Sequence, residues 1–263
     1  MKLDTYKASA ARKVLVYGAP KTGKTELVGS LAALDFRLWW FDLEDGIKTL
    51  LRPDSLARTG LSNIELFKIP DTQEFPVACA TLHKVAKGGP LKICHKHGVV
   101  NCQKCSSLPA SEHSTINTSE FTHRDILVID SVSQLAASTM NQIGFKEISK
   151  SDEWRPDWEH YAKQGFLMDR IFTIFQQAPF NVVCVSHETM VEMEDKTKKL
   201  VPIGGTSNFS KVFAKYFDDC IYTEIVNGKF RAYSDASQKS SAIVGSRTGK
   251  KITEGKGLKE LFE

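Results

Sequence analysis

The chain has 263 residues, 41% hydrophobic and 25% charged, a globular composition that excludes collagenous, disordered and coiled-coil chains. Thirty-five Lys and Arg against 31 Asp and Glu leave +4, too mild to name nucleic acid as a partner from charge alone. Its apolar runs are strand-sized, so no membrane span is expected, and Met1-Lys2-Leu3-Asp4-Thr5 lacks the apolar core of a secretory signal. Both features point to the cytosol.

In chain order, the first predicted strand is 13–17, bounded by Gly18, and a helix follows over 24–34 with Leu27, Val28, Leu31 and Leu34 at helical spacing. A strand over 36–41 ends in Asp42-Leu43-Glu44-Asp45-Gly46, and a short helix over 47–51 stops at Pro53. A strand is expected over 64–69 and a helix over 75–85. From Lys87 to His123 the periodicity disappears, which marks an insertion. The strand 126–129 closes on Asp130-Ser131, and an amphipathic helix over 132–143 leads into a polar loop, 144–158. A long helix over 159–177 stops before Pro179, followed by a buried strand over 180–186 and a helix over 207–217. The tail reads as strands over 220–226, 229–234 and 242–244, with Asn227-Gly228 as a hairpin turn. Alternating strands and helices, with nearly continuous apolar strands, predict an α/β fold: a mostly parallel sheet covered on both faces, extended at one edge by an antiparallel tail.

Gly18-Ala19-Pro20-Lys21-Thr22-Gly23-Lys24-Thr25 satisfies G-x-x-x-x-G-K-[ST] between a predicted strand and helix. The glycines let successive backbone N–H groups turn toward phosphate oxygens, and the helix start adds its dipole. Lys24 is expected to reach the β- and γ-phosphates, with the Thr25 hydroxyl on Mg²⁺. Asp130, at the carboxyl end of a buried strand where α/β sheets bind ligands, is expected to hold a Mg²⁺-bound water. Hydrolysis also needs a group to orient water; Asp42, Glu44 and Asp45 are candidates, and spacing alone does not choose among them.

The insertion holds Cys94, His97, Cys102 and Cys105 in a C-x2-H-x4-C-x2-C pattern, two close pairs able to wrap one tetrahedral Zn²⁺; His97 fits the spacing, with His95 as the substitute. The segment is too polar to fold by burial, so a metal would supply its stability. Four protein ligands leave no open position, which makes the expected role structural. Cys79, Cys184 and Cys220 lie in apolar contexts and read as packing.

Four segments in order resemble the RecA-like recombinase core: the phosphate loop; Phe41-Asp42-Leu43-Glu44; Ile126-Leu127-Val128-Ile129-Asp130-Ser131; and Pro202-Ile203-Gly204-Gly205. In size, without an added DNA-binding domain, the chain is similar to the phage RecA-like single-strand annealing proteins of the Sak type. The resemblance implies a single P-loop NTPase domain over 1–263 carrying the zinc-binding insertion 87–123. It assigns water activation to Glu44 and γ-phosphate sensing to His187, at the end of Val182-Val183-Cys184-Val185-Ser186-His187, where the RadA branch more often has Asn-Gln; a helix- or loop-capping His is the alternative. Residues 189–201 resemble the second DNA loop, with Lys196, Lys198 and Lys199 facing phosphates, or else a solvated charge run among Glu192, Glu194 and Asp195. The loop 144–158 stands where the first DNA loop would be, so Trp154, Arg155 and Trp158 are candidates for stacking on bases, with core or interface packing as the alternative. Ala242-Ile243-Val244-Gly245-Ser246-Arg247 is similar to a tail element that presents Lys-x-Arg to a neighbouring subunit's nucleotide; Gly245 replaces the Lys and only Arg247 remains, as such a finger or else as an ordinary surface Arg.

The implied protein binds ATP and Mg²⁺, with structural Zn²⁺, and assembles as a ring or filament on single-stranded DNA to anneal or recombine it. A single-strand-binding protein is a further expected partner, and the implied compartment is the bacterial host cytoplasm. The competing expectations are an ATPase switch acting on a protein, such as a helicase loader or packaging factor, and a non-hydrolysing adaptor held by its zinc loop.

Overall fold

Strands that point large apolar side chains in both directions need cover on both faces. The computed structural model, which describes residues 11–148, 150, 153–253 and 257–262, supplies that cover. The opening residues 1–10, on which the absence of a secretory signal was read, lie outside the described residues. In chain order the elements are β1 (Lys13–Gly18), α1 (Lys24–Gly29), β2 (Arg37–Asp42), β3 (Ile64–Lys68), α2 (Ala78–Lys87), β4 (Pro90–Cys94), β5 (His113–Asn117) and β6 (Asp125–Asp130). There follow α3 (Val132–Ile143), α4 (Phe145–Ile148), α5 (Trp158–Gln177), β7 (Asn181–Glu192), β8 (Lys198–Pro202) and α6 (Ser207–Val212). The chain closes with β9 (Asp219–Val226), β10 (Lys229–Tyr233), β11 (Gly245–Ser246) and α7 (Lys259–Phe262).

The main sheet runs β10-β9-β1-β7-β6-β2-β3, with β11 beside β9 and β8 beside β7. Leu15, Tyr17, Trp39, Phe41, Leu127 and Ile129 point to one face, where Leu82, Leu135, Met168 and Phe172 of α2, α3 and α5 cover them. Val14, Val16, Leu38, Trp40, Ile126 and Val128 point to the other, under Val28 and Leu31 after β1 and Leu261 of α7. Each fully buried side chain of this kind contributes roughly 1.5–3 kcal/mol, so burial on both faces holds the strands that carry the site.

Several elements differ from expectation for identifiable reasons. The helix after the phosphate loop is α-helical only to Gly29 and tightens to 3₁₀ over Ser30–Leu34, because that turn is pressed against the 3₁₀ segment Arg58–Asn63. A Cβ at Gly60 would overlap the Ala32 carbonyl. Helix α2 begins three residues late because Asp71, outside the helix, accepts from the N–H groups of Val77 (2.7 Å) and Ala78 (2.8 Å). The insertion is not featureless: β4 and β5 form an antiparallel pair from Pro90↔Asn117 to Cys94↔His113. Strand β7 continues six residues past the expected end, because 188–192 pair antiparallel with β8, so the expected second loop is a β-hairpin. Within the expected first loop, 144–158, Phe145–Ile148 form one helical turn, and residues 149, 151 and 152 lie outside the described residues. The tail is not wholly antiparallel. β9 runs parallel to β1 (Val14↔Asp219 to Gly18↔Thr223), and only β10 and β11 run antiparallel to β9. The expected strand 242–244 reduces to a single bridge, Leu200↔Ala242, before β11.

Candidate nucleotide site and metal centre

Parallel register brings the carboxyl ends of β1, β2 and β6, with His187 inside β7, to one edge. Gly18 of β1 lies beside His187 of β7, and Asp42 of β2 beside Asp130 of β6. The loop from Gly18 to Thr25 turns over this edge, with Gly23 in a left-handed conformation (φ 81°) that starts α1. Gly18 allows a close approach, because a Cβ there would overlap the Thr223 carbonyl. The Thr22 and Thr223 hydroxyls are bonded at 2.8 Å, and Thr22 also donates to the Ala19 carbonyl, so β9 buttresses the loop. Ala19, Pro20 and Lys21 form the outer rim, with Pro20 and Lys21 exposed.

Lys24 is buried and donates to its own loop, to the carbonyls of Gly18 (3.0 Å) and Ala19 (2.7 Å). Burial lowers its pKa, and the carboxylates of Asp130, Glu44 and Glu188 oppose that shift. A phosphate chain would supply the counter-charge that burial withholds. Thr25 donates to Asp130 at 2.9 Å, which joins the two expected magnesium-side groups. Burial pushes Asp130 up to about 7; the Thr25 hydrogen bond opposes this, while Asp42 and Glu44 add to it. A buried carboxylate held beside two others is short of positive charge, and a divalent cation supplies it.

The structure separates the three acidic candidates that spacing left open. Asp42 is consumed by the backbone: it accepts from the N–H groups of Glu44 (3.3 Å), Gly46 (3.0 Å) and Ile47 (3.4 Å), closing the turn after β2. Asp45 faces outward to Lys48 and to Lys68. Glu44 alone turns across the edge, where it accepts from Ser131 and pairs with His187 Nε2 at 3.1 Å. Burial would raise Glu44, but the hydrogen bonds from His187 and Ser131 outweigh it and hold the carboxyl below its ordinary value. The His187 N–H donates to Ser133 at 2.8 Å, which ties β7 to the first turn of α3.

Four contributors to this edge were given no role of their own in the sequence, although Ser131 stood in the matching Asp130-Ser131 strand end. Gly46 faces the magnesium-side pair, for a Cβ there would stand 3.5 Å from Asp130 Oδ2 and 3.6 Å from Thr25 Oγ1. Ser131 follows Asp130 directly and orients Glu44, a role its adjacency could have signalled. Thr223 and Phe230, which lies against Gly23, come from strands about 200 residues downstream, and no local pattern announces them.

The remaining expected site residues are dispersed. Arg247 lies beside Ser246, which pairs with Asp219, itself the partner of Val14, so it stands at the opposite sheet edge from its own phosphate loop. There it donates to the Lys215 carbonyl at 2.7 Å and faces Asp218 at 3.7 Å. Lys196 sits in the β7–β8 turn with φ 63°, and Lys198 and Lys199 pair with Glu192 and Val191 on a hairpin that continues directly from His187. Trp154 packs on Gly144 and edge-on to His160 (5.3 Å between centroids), Arg155 is exposed, and Trp158 is 77% exposed at the start of α5.

The second cluster is in the insertion. The His97 Nδ1 stands 3.8, 3.5 and 3.2 Å from the sulfurs of Cys94, Cys102 and Cys105, and all four donor atoms lie within 4.8 Å of one another. A tetrahedral zinc with bonds of about 2.0–2.3 Å separates its ligands by roughly 3.5–3.8 Å, so the donor set fits one such ion. Gly98 (φ 64°) and Asn101 (φ 52°) bend the chain between the two pairs. His95 is turned away to the Ser114 hydroxyl at 3.0 Å and is not among the donors.

A strand joined to a helix through this loop, with the second acid on another strand of the same parallel sheet, is the architecture of P-loop nucleoside triphosphatases. The AAA domain family matches residues 10–248, and the chain belongs to that family. It is thus an ATP-binding P-loop ATPase domain. Comparison with curated proteins finds no match. Among the described residues, no helix is long and apolar enough to cross a membrane.

ATP and Mg²⁺ fit the residues present. The loop, the buried Lys24, and the paired Thr25 and Asp130 opposite the open side of Gly46 would hold the triphosphate and its cation. Magnesium would neutralise the phosphate oxygens when bound.

Proposed function

We propose that the protein is a Mg²⁺-dependent ATPase that binds single-stranded DNA and promotes annealing or homologous recombination, acting in a ring or filament. In this reading Lys24 binds the phosphates, Thr25 and Asp130 serve the cation, and Glu44 positions the attacking water. Its lowered pKa keeps Glu44 ionised, and each carboxylate oxygen retains a lone pair for that water beyond its bonds to Ser131 and His187. His187 reports on the γ-phosphate.

The observation that carries the DNA half is the continuity of β7. One strand holds His187 against Glu44 and then continues as the hairpin that bears Lys196, Lys198 and Lys199. A shift of His187 on nucleotide binding would be delivered to the hairpin without an intervening joint. The likeness to the phage RecA-like annealing proteins supports the choice of single-stranded DNA, with Trp154, Arg155 and Trp158 as further contacts. The position of Arg247 on the far edge supports a role on a neighbouring subunit's nucleotide. The four donors of the insertion hold structural zinc. Lys24→Ala is expected to abolish ATP binding and nucleotide-dependent DNA binding together. DNA binding that stays nucleotide-dependent in this variant would overturn the proposal.

A second reading, an ATPase that acts on a protein partner, draws on the exposed Trp158, Tyr161 and Phe166 of α5. It expects the same nucleotide site but no response of hydrolysis to DNA.

A further inference from the structure

The phosphate loop sits between two unlike neighbourhoods. On the β7–β6–β2 side of β1 stand Asp130, Glu44 and His187, which fix the γ-phosphate and cation end of a bound nucleoside triphosphate. The nucleoside end must then leave toward the β9–β10 side. That side begins at the Thr22–Thr223 hydroxyl pair and continues into an apolar surface. Phe230 and Ile225 are directly opposite each other on β10 and β9 and are 58% and 49% exposed. Alternation puts them on the same sheet face as Thr223 and Ala232, the face that α1 covers. The Phe230 ring lies against the phosphate loop itself, for a Cβ at Gly23 would stand 3.2 Å from its Cδ1.

An exposed phenylalanine on an edge hairpin is an aggregation liability unless something covers it. Here it adjoins the point from which a base would extend. We propose that Phe230, backed by Ile225, is the platform on which the base of the bound nucleotide stacks. The proposal rests on the nucleotide-binding reading of the loop and adds the residue that recognises the nucleoside. An aromatic face stacks on any base and does not itself read base edges. Stacking on Phe230 should therefore contribute about equally to ATP and to GTP binding.

The test is calorimetric titration of the full chain with ATP and, separately, with inorganic tripolyphosphate, both with Mg²⁺. Phe230→Ala is expected to weaken ATP binding about tenfold, within the range for loss of a base-stacking aromatic, and to leave tripolyphosphate binding unchanged. Phe230→Trp should restore ATP affinity and show tryptophan quenching on addition of ATP but not of tripolyphosphate, after subtraction of the parent signal. Equal weakening of both ligands by Phe230→Ala would overturn the proposal, because Phe230 would then only brace the loop. Unchanged ATP affinity would overturn it as well. A parent chain that binds neither ligand would remove the nucleotide reading itself, whereas loss of DNA stimulation alone would leave the Phe230 assignment standing.

Discussion

Gly46→Ala separates folding from metal-nucleotide binding within one methyl group. The new Cβ would stand 3.5 Å from Asp130 Oδ2 and 3.6 Å from Thr25 Oγ1, ordinary contact distances that require nothing in the protein to move. Gly46 is not among the glycines with positive φ, so alanine fits its backbone and should stabilise the fold by about 0.4–1 kcal/mol through the unfolded chain. A magnesium ion held by the Thr25–Asp130 pair would keep several of its waters, and the methyl would take volume beside that pair. Crowding of that kind costs about 1–3 kcal/mol, which is roughly 5- to 150-fold in affinity. The assay is titration with ATP in Mg²⁺ and in EDTA, beside thermal unfolding. The expected result is weaker binding in Mg²⁺ only, with an unchanged or slightly raised melting temperature. Equal affinities for parent and variant in Mg²⁺ would refute the placement of the cation at the Thr25–Asp130 pair.

Glu44→Gln should reduce phosphate release by about 100-fold or more while ATP binding is retained, as expected for loss of a group that orients or deprotonates water. Hydrolysis at the parental rate would transfer that role to another residue. Cys102→Ser should lower the metal content from one zinc per chain to none and lower the melting temperature, because Ile93, Val100 and Ile116 join the insertion to the main core. Nucleotide affinity should survive, since none of the four donors belongs to the phosphate edge; zinc at parental stoichiometry would contradict the site. Lys13, buried with its ammonium donating to the carbonyls of Ala178 (3.0 Å) and Phe180 (2.9 Å), has its pKa lowered by burial to about 8 against 10.5, with Asp218 opposing. Between these values the unfolded chain binds more protons at this site, so its contribution to stability rises with pH across that window. Denaturation curves of parent and Lys13→Met should therefore diverge in favour of the parent from pH 8 to 10.5; parallel curves would refute the shift.

Contact distance along the chain decided what was legible. The phosphate loop, the strand ending at Asp130, the helix over 132–143 and the Cys/His spacing are local patterns, and the structure has each where it was expected. Glu44 could not be chosen over Asp42 and Asp45 on spacing, because the choice depends on hydrogen bonds to Ser131 and His187, 87 and 143 residues away. β9 reads locally like an edge strand, and only its pairing with β1 makes it an inner parallel strand that buttresses the phosphate loop. The β7–β8 hairpin was hidden by its composition, for the charged residues of 192–199 resemble a loop until Val191↔Lys199 and Glu192↔Lys198 pair. Asp71, which sets the start of α2, lies six and seven residues before the amides it caps, beyond the reach of ordinary N-cap spacing.

If β7 couples the nucleotide edge to single-stranded DNA, ATP hydrolysis must respond to that DNA, which is measured as the rate with and without it beside an annealing assay. Single-stranded DNA is expected to raise the rate of the parent chain, and Lys196→Ala/Lys198→Ala/Lys199→Ala to remove the increase without changing the basal rate. A basal rate that DNA leaves untouched, in a chain that still hydrolyses ATP, would contradict it and favour a protein-directed switch.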